Sequence, residues 1–151
     1  MQQSVAARTP AHLWIVGALA TLWNGFGAWD YLMTRTHNSD YLQSMMPGVD
    51  TNAIYGYIDS FPIWASIGWG LGVWCGLAGS LLLLVRMRWA TQLLALSFIG
   101  SVLGLGYQLM NPGGPAEMHE GVGGLIPYAI ILIALGLAVY ARTMEKRGVI
   151  R

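Results

Sequence analysis

The sequence predicts an all-α, polytopic integral membrane protein with four transmembrane helices in two antiparallel hairpins. Of its 151 residues, 55% are hydrophobic and only 10% are charged, whereas soluble domains usually carry about 25% charged residues. The mean hydropathy is +0.51. Four apolar stretches also reach the roughly 20 residues that a helix needs to cross a bilayer. We expect one transmembrane domain over residues 1–151, because a bundle of this length leaves no room for a second.

The four predicted spans differ in how clearly the sequence marks them. They cover residues 12–33, 62–85, 89–110 and 124–141. Residues 18–20 of the first resemble a signal-peptide cleavage site, but the apolar run continues to Met33, so we expect a retained helix. Pro127 lies in the first turn of the fourth span, where its missing N–H costs little.

The distribution of basic residues predicts how these spans are oriented. If both termini are cytoplasmic, seven of the eight Lys and Arg residues lie on the cytoplasmic side and only Arg35 lies opposite. The seven are Arg8, Arg86, Arg88, Arg142, Lys146, Arg147 and Arg151. Since cytoplasmic loops of membrane proteins are enriched in Lys and Arg, we expect the bacterial inner membrane, with both termini inside.

The outer loop, residues 34–61, has an apolar pattern too regular for an unstructured linker. Apolar residues recur at helical spacing over residues 41–46, before Pro47 breaks the pattern. Asp50 is placed to cap a second short helix with an apolar face. We therefore expect two short amphipathic helices over the outer mouth of the bundle, serving as a structural lid or as a substrate gate.

Rows of small residues occur at four-residue spacing in three spans. Such rows let membrane helices approach closely. The predicted packing positions are Gly17, Thr21 and Gly25 in the first span, Gly68, Gly72, Gly76 and Ser80 in the second, and Gly100 and Gly104 in the third. Packing within one tight bundle is the simplest interpretation, and homodimerisation through one row is the alternative.

A few polar side chains interrupt the apolar spans. The candidate intramembrane cluster consists of Asn24, Asp30, Ser97, Ser101 and Gln108. We expect Asn24 to hydrogen-bond to the third span and Asp30 to face the bundle, approach the interface or pair with Arg35, since an unpartnered charge in a membrane is costly. A substrate or proton site at Asn24 and Asp30 is the alternative. The deep residues Trp23, Trp69 and Trp74 are expected in the core, with cavity lining as the alternative.

Residues that carry catalytic or metal chemistry are few. The single cysteine, Cys75, excludes an internal disulfide and a Cys-rich metal site. None of the three histidines falls at mid-membrane, which excludes paired haem ligands within the chain. His37 with Asp40, and His119 with Glu117 and Glu120, form at most a weak metal-binding pattern over the outer face. We expect no cofactor and no enzymatic activity, and the scattered basic residues indicate no nucleic-acid binding.

Several segments resemble a group of small bacterial four-helix membrane proteins that are generally uncharacterised. They are "WNGFGAWDYLMTRT", "SFPIWASIGWGLGVWCGLAGSLLLLVR" and the tail with its "YAR" and "RGV". Automatic labels call such proteins sugar transporters or DoxX-like. The resemblance implies a four-helix inner-membrane bundle and, on the DoxX side, an accessory role beside redox enzymes. It supplies no binding residues.

Two functions are therefore compatible with the sequence. The first is a non-enzymatic accessory or scaffold subunit that acts with lipid and a membrane protein partner or a second copy of the chain. The second is an oligomeric transporter of a small, sugar-like solute that uses the candidate polar cluster.

Overall fold

The computed structural model describes residues 9–151, a range that is all-helical and contains no strand. Arg8, one of the residues used to predict orientation, lies outside that range. The long helices are α1 (Ala11–Arg35), α4 (Ile63–Leu84), α5 (Trp89–Met110) and α6 (Gly121–Lys146). The short ones are α2 (Ser39–Met45), α3 (Thr51–Asp59) and a 3₁₀ helix (Ala116–Met118).

Three described segments are long and apolar enough to cross a membrane. They are Ile63–Leu84, Trp89–Met110 and Ala116–Lys146. With 25 residues, α1 has the necessary length, but it is less apolar than the other three long helices. Asn24 and Asp30 lie within α1 and contribute to that difference.

Helices α4 and α5 pack antiparallel at very close range. A Cβ placed at Gly100 would lie 2.5 Å from the amide nitrogen of Gly72 and 2.6 Å from the carbonyl oxygen of Gly68. A Cβ at Gly104 would lie 2.7 Å from the nitrogen of Trp69. Ser97 adds a hydrogen bond, because its hydroxyl donates to the Gly72 carbonyl at 2.6 Å. The small-residue rows of the second and third spans therefore form the centre of the fold.

Helix α1 packs antiparallel along the other side of α4. A Cβ at Gly17 would lie 2.6 Å from Leu84 Cδ2, so this glycine is a packing position. The Thr21 hydroxyl instead donates within α1, to the Gly17 carbonyl at 2.8 Å. Gly25 has open space around its Cβ position. Its predicted packing role is wrong, because the side of α1 that is buried carries Leu13, Gly17, Ala20 and Ala28.

One end of the bundle, here called the tail end, holds the described termini and the turn at residues 85–88. Leu13, Leu83, Leu94 and Met144 form its buried core together with Ile150 of the C-terminal tail. The tail is also held through its backbone. The Arg88 amide donates to the Arg151 carbonyl at 2.8 Å, and the Arg151 amide donates to the Arg86 carbonyl at 2.9 Å.

The helices that end at this turn and at the tail close with the same motif. Met87 N–H donates to the Leu82 carbonyl and Val149 N–H to the Met144 carbonyl, the long bond of a Schellman motif. The preceding residue must adopt a left-handed conformation, and glycine is usual there. Gly148, at φ +69°, follows that rule, whereas Arg86 occupies the equivalent position after α4 at φ +60°.

The opposite end, here called the lid end, is covered by α2 and α3, which confirms the two short helices expected in this loop. Asn38 caps α2 by accepting from the Tyr41 amide at 2.9 Å, and Asp50 caps α3 by accepting from the Asn52 amide at 3.0 Å. Their apolar faces form a second buried core around Leu42 and Ile54. The lid end is thus a packed layer of its own.

Candidate functional site

A cavity of about 250 Å³ lies between α1 and α6, with α4 and α5 behind it. We call it the central cavity. Helices α1 and α6 meet at the tail end, where His12 Nδ1 and the Tyr140 hydroxyl are 2.6 Å apart. Further along, the side of α1 carrying Trp23, Phe26 and Gly27 is separated by the cavity from the apolar residues of α6. The α6 wall consists of Ile126, Ile130, Ile133, Ala134 and Leu137.

The open side of the central cavity lies between these two helices. Trp23 and Phe26 on α1 line it while being 42% and 53% exposed. Ile126 and Ile133 on α6 line it while being 49% and 38% exposed. The exposed edges of this opening are therefore apolar on both helices.

Polar groups occupy the inner wall of the central cavity. Asn24, Ser97 and Ser101 line this wall and Asp30 lines the edge, so four of the five members of the predicted polar cluster border one cavity. The expected bond from Asn24 to the third span is wrong. The Asn24 amide donates to the Ala20 carbonyl at 2.9 Å and to the Ser80 hydroxyl of α4 at 3.4 Å.

Asp30 lies at the lid-end edge of the central cavity. Its Oδ1 accepts a hydrogen bond from the Tyr41 hydroxyl of α2 at 2.8 Å. The pairing of Asp30 with Arg35, one of three arrangements considered from the sequence, is not formed. Arg35 instead lies 3.8 Å from Asp59 of α3. Burial, followed by the bond to Asp30 and its charge, raises the pKa of the Tyr41 phenol above its ordinary value of 10.0.

A second cavity of about 220 Å³, here called the lid cavity, lies beneath α2 and α3. Gln108 lines this cavity and not the central one, so the predicted polar cluster is divided between two spaces. Glu117 adds a second carboxylate to the lid cavity. The two cavities adjoin, since they share the lining residues Asp30, Trp69, Leu105, Ile126 and Ile130.

The sequence favoured core packing for Trp23, Trp69 and Trp74, and the structure differs from that prediction. Trp23 and Trp69 line the central cavity, which was the alternative for these residues. Trp74 lines neither cavity and contacts the ring of Tyr31 edge-on, with centroids 6.1 Å apart. Spacing could have separated the two tryptophans of α4, because Trp69 shares one side of the helix with Gly72 and Val73, whereas Trp74 lies about 140° around the helix from Trp69.

The histidines form no metal cluster within residues 9–151, where no group of three potential ligands was found. His37 stacks on Tyr55 with ring centroids 4.2 Å apart, and its Nε2 lies 3.1 Å from Asp59. The carboxylate beside His37 is therefore that of Asp59 and not that of Asp40, its partner in the predicted weak pattern.

No family model, curated protein or solved structure matches the chain. The resemblance to four-helix "sugar transporter" and DoxX-like proteins thus stays a prediction. Any function has to be argued from the cavities themselves.

Proposed function

We propose that this chain is a non-enzymatic accessory protein of the bacterial inner membrane that binds a small amphiphilic molecule in the central cavity. Asp30 carries the proposal. Its carboxylate borders both cavities, accepts one hydrogen bond from Tyr41, and has no Lys, Arg or His side chain within 4.0 Å among residues 9–151. A carboxylate in apolar surroundings is most stable beside a cation or a strong hydrogen-bond donor.

The walls of the cavity define the rest of the ligand. Ile130 and Leu137 offer apolar surface, while Trp23 and Trp69 offer aromatic faces that attract cations. The two adjoining cavities together fall within the range of roughly 300–1,000 Å³ that is typical of small-molecule sites. The best-fitting ligand class is therefore a small lipophilic amine, with its ammonium group at Asp30 and its apolar part between α1 and α6.

This proposal includes four membrane spans in two hairpins, with the tail end in the cytoplasm. The antiparallel contacts of α1 with α4 and of α4 with α5 support it, as do the basic residues at the tail end. Single cysteines placed at His37, His119 and Arg147 in a Cys75→Ser background test it. A membrane-impermeant thiol reagent applied to intact cells should label the first two only. Labelling of positions 119 and 147 from the same compartment would contradict the scheme.

Binding can be tested with a naphthylalkylamine, its neutral alcohol and its carboxylic acid, measured by quenching of tryptophan fluorescence in the detergent-purified protein. We expect the amine to bind best and Asp30→Asn to weaken it about tenfold, as for a lost charge-assisted contact. Gly27→Phe should abolish binding, because the new side chain enters the central cavity, where nothing lies within 4 Å of its Cβ position.

Gly25→Phe is the matched control for the filled cavity. It lies two residues away on α1, also has open space at its Cβ position, and does not line the cavity. It should bind the amine as the natural protein does. Equal binding by all four proteins, or preference for the acid, would reject the proposed site.

The accessory role is tested separately, by purification in native lipid with mass spectrometry and reciprocal capture. A partner that co-purifies stoichiometrically from both directions supports it. Recovery of this chain alone, or only as a homo-oligomer, argues against it.

Transport of a small solute is the second candidate. The observation that favours it is the continuity of the lid cavity and the central cavity past Asp30. The buried core around Leu13, Leu94 and Met144 closes the tail end, so transport requires that end to open. Uptake of a panel of sugars and amines into proteoliposomes tests this. Uptake that is reduced by Asp30→Asn and Gly27→Phe, and unchanged by Gly25→Phe, would favour transport over binding alone.

A further inference from the structure

We propose that a third cavity, at the tail end, binds the phosphate headgroup of one anionic phospholipid. This cavity measures about 300 Å³ and is lined by Val85, Arg86, Val149 and Arg151. We call it the arginine cavity. It combines two guanidinium-bearing residues with two apolar ones. The proposal is independent of the amphiphile site, which lies in a separate cavity.

The backbone brings the two arginines together although they are far apart in sequence. Arg151 N–H donates to the Arg86 carbonyl and Arg88 N–H donates to the Arg151 carbonyl, so the tail lies against the turn like a short added strand. Burial of Val149 and Ile150 in the tail-end core keeps it there. The site is therefore built by the fold and does not depend on the chance approach of two surface side chains.

Arg86 also holds an unfavourable backbone conformation. It is the left-handed residue that ends α4, a position where glycine would be less strained. Its side chain is oriented as well, because Nη1 donates to the Thr9 hydroxyl at 2.7 Å. The Arg86 side chain is thus held in place at a position whose backbone conformation costs energy for a residue other than glycine.

The two guanidinium groups of this cavity form no ion pair with the described part of the chain. Among residues 9–151, no side-chain carboxylate lies within 4.0 Å of the Arg86 or Arg151 guanidinium. Glu145 is the carboxylate of α6 nearest in sequence to the tail, and it forms no ion pair there. An anion with several acceptor oxygens is the natural counter-charge, and phosphate suits the planar fork of arginine.

The position of the cavity points to a lipid as the source of that phosphate. The turn at residues 85–88 joins two segments that are each able to cross a membrane, so it lies at the membrane surface on either orientation. Trp14 and Trp89, at the same end, are 50% and 59% exposed, as is common for tryptophans at the level of lipid headgroups. With the tail end in the cytoplasm, the facing leaflet carries anionic lipid.

The test uses the full chain with an N-terminal tag, in nanodiscs of phosphatidylcholine containing a minor fraction of phosphatidylglycerol. Native mass spectrometry after mild detergent extraction reads the phosphatidylglycerol retained per chain. We expect one lipid on the natural protein and about tenfold weaker retention in Arg86→Gly and in Arg151→Gln, since each loses a charged hydrogen-bonding group. Arg86→Gly should keep its helical content and melting temperature, because glycine favours that conformation.

Arg142→Gln is the control for net charge. It removes one positive charge from an exposed position on α6 outside the arginine cavity, and it should retain lipid normally. Equal loss in all three variants would show that binding follows net charge, and equal retention would show that the cavity is not used. Either result overturns the proposal.

A further arm separates the sources of phosphate. Inorganic phosphate at millimolar concentration should not displace the lipid, whose acyl chains add apolar contact. Tight binding of inorganic phosphate by lipid-free protein, abolished by Arg86→Gly, would assign the cavity to a soluble anion and overturn the lipid assignment. Co-purification of an acidic polypeptide in place of lipid would do the same.

Discussion

The α4–α5 pair and the α1–α6 pair are both apolar and rich in glycine, yet the first is closed and the second encloses a cavity. In α4 and α5, glycines lie on the contact side of both helices, so backbone meets backbone around Gly72 and Gly100. In α1 and α6, Gly25 and Gly136 have open space around them, and bulky side chains such as Trp23 face the gap. The side of the helix on which a glycine lies, and not the glycine content, decides between packing and a cavity.

The largest expected effect comes from adding a side-chain atom to the tight contact between α4 and α5. Gly100→Ala puts a Cβ about 2.5 Å from backbone atoms of α4, which cannot rotate away as a side chain can. We expect a loss of about 3 kcal/mol in the free energy of unfolding, measured by denaturation with increasing mole fractions of sodium dodecyl sulfate. Gly25→Ala is the matched substitution in the open region and should cost nothing. Similar losses in both variants would contradict the contrast between the regions.

Next in size is the link between the lid and α1. Tyr41→Phe removes the hydrogen bond to Asp30, and bonds to charged groups contribute about 1.5 kcal/mol or more. Hydrogen exchange of residues 39–59 should accelerate while exchange in α4 and α5 stays unchanged. In an Asp30→Asn background the added effect of Tyr41→Phe should be smaller, and full additivity would argue against the bond.

The same phenol makes the lid sensitive to alkali. Because the pKa of Tyr41 is raised in the folded protein, its contribution to stability is complete below its ordinary value of 10.0 and is lost as the pH rises above that value. Natural protein should therefore show a steeper loss of lid protection at alkaline pH than Tyr41→Phe. Parallel pH profiles for the two proteins would contradict this.

Filling the gap between α1 and α6 should have a smaller effect, and it should raise the free energy of unfolding. Gly27→Leu adds apolar volume to the central cavity without meeting an atom within 4 Å of its Cβ position. We expect a gain of about 1 kcal/mol, as is common for cavity-filling substitutions, seen in the same denaturation assay. A loss as large as that of Gly100→Ala would show that this region is as tightly packed as α4–α5.

The smallest effect is expected at the exposed polar contacts of Asp59 in the lid. Asp59 lies 3.8 Å from Arg35 and 3.1 Å from His37, and all three side chains are more than a third exposed. Such pairs contribute about 0.5 kcal/mol or less. Asp59→Asn should therefore leave the melting temperature almost unchanged, and the change should disappear in high salt.

Much of the helical framework could be predicted from the sequence. Long apolar runs mark the four long helices, and the Asp50 cap marks α3. The four-residue rows of α4 and α5 predicted close packing within one bundle, and the contact between these two helices uses both rows. Each four-residue step moves about 40° around a helix. Helix α5 stays in contact with this turning row of α4 from Gly68 to Gly76.

The rotation of α1 was harder to predict. Its row from Gly17 to Gly25 drifts away from α4, because the buried side of α1 mixes steps of three and four residues. Asn24 therefore meets Ser80 of α4 and not α5. Asp30 and Arg35 are five residues apart, which places them about 140° apart around a helix. The central cavity depends on the angle between α1 and α6. These helices are far apart in the sequence, and no local sequence pattern encodes the angle between them.

The docking of the tail has a consequence for how the chain matures. Residues 149–151 leave the ribosome long after residues 86–88, so the backbone bonds between them form only once α6 has been synthesised. Until then, the α4–α5 pair depends on its glycine contacts and on α1, which is made earlier and packs against α4. Before residues 149–151 dock, the Arg86 carbonyl and the Arg88 amide lack the partners that they have in the folded protein.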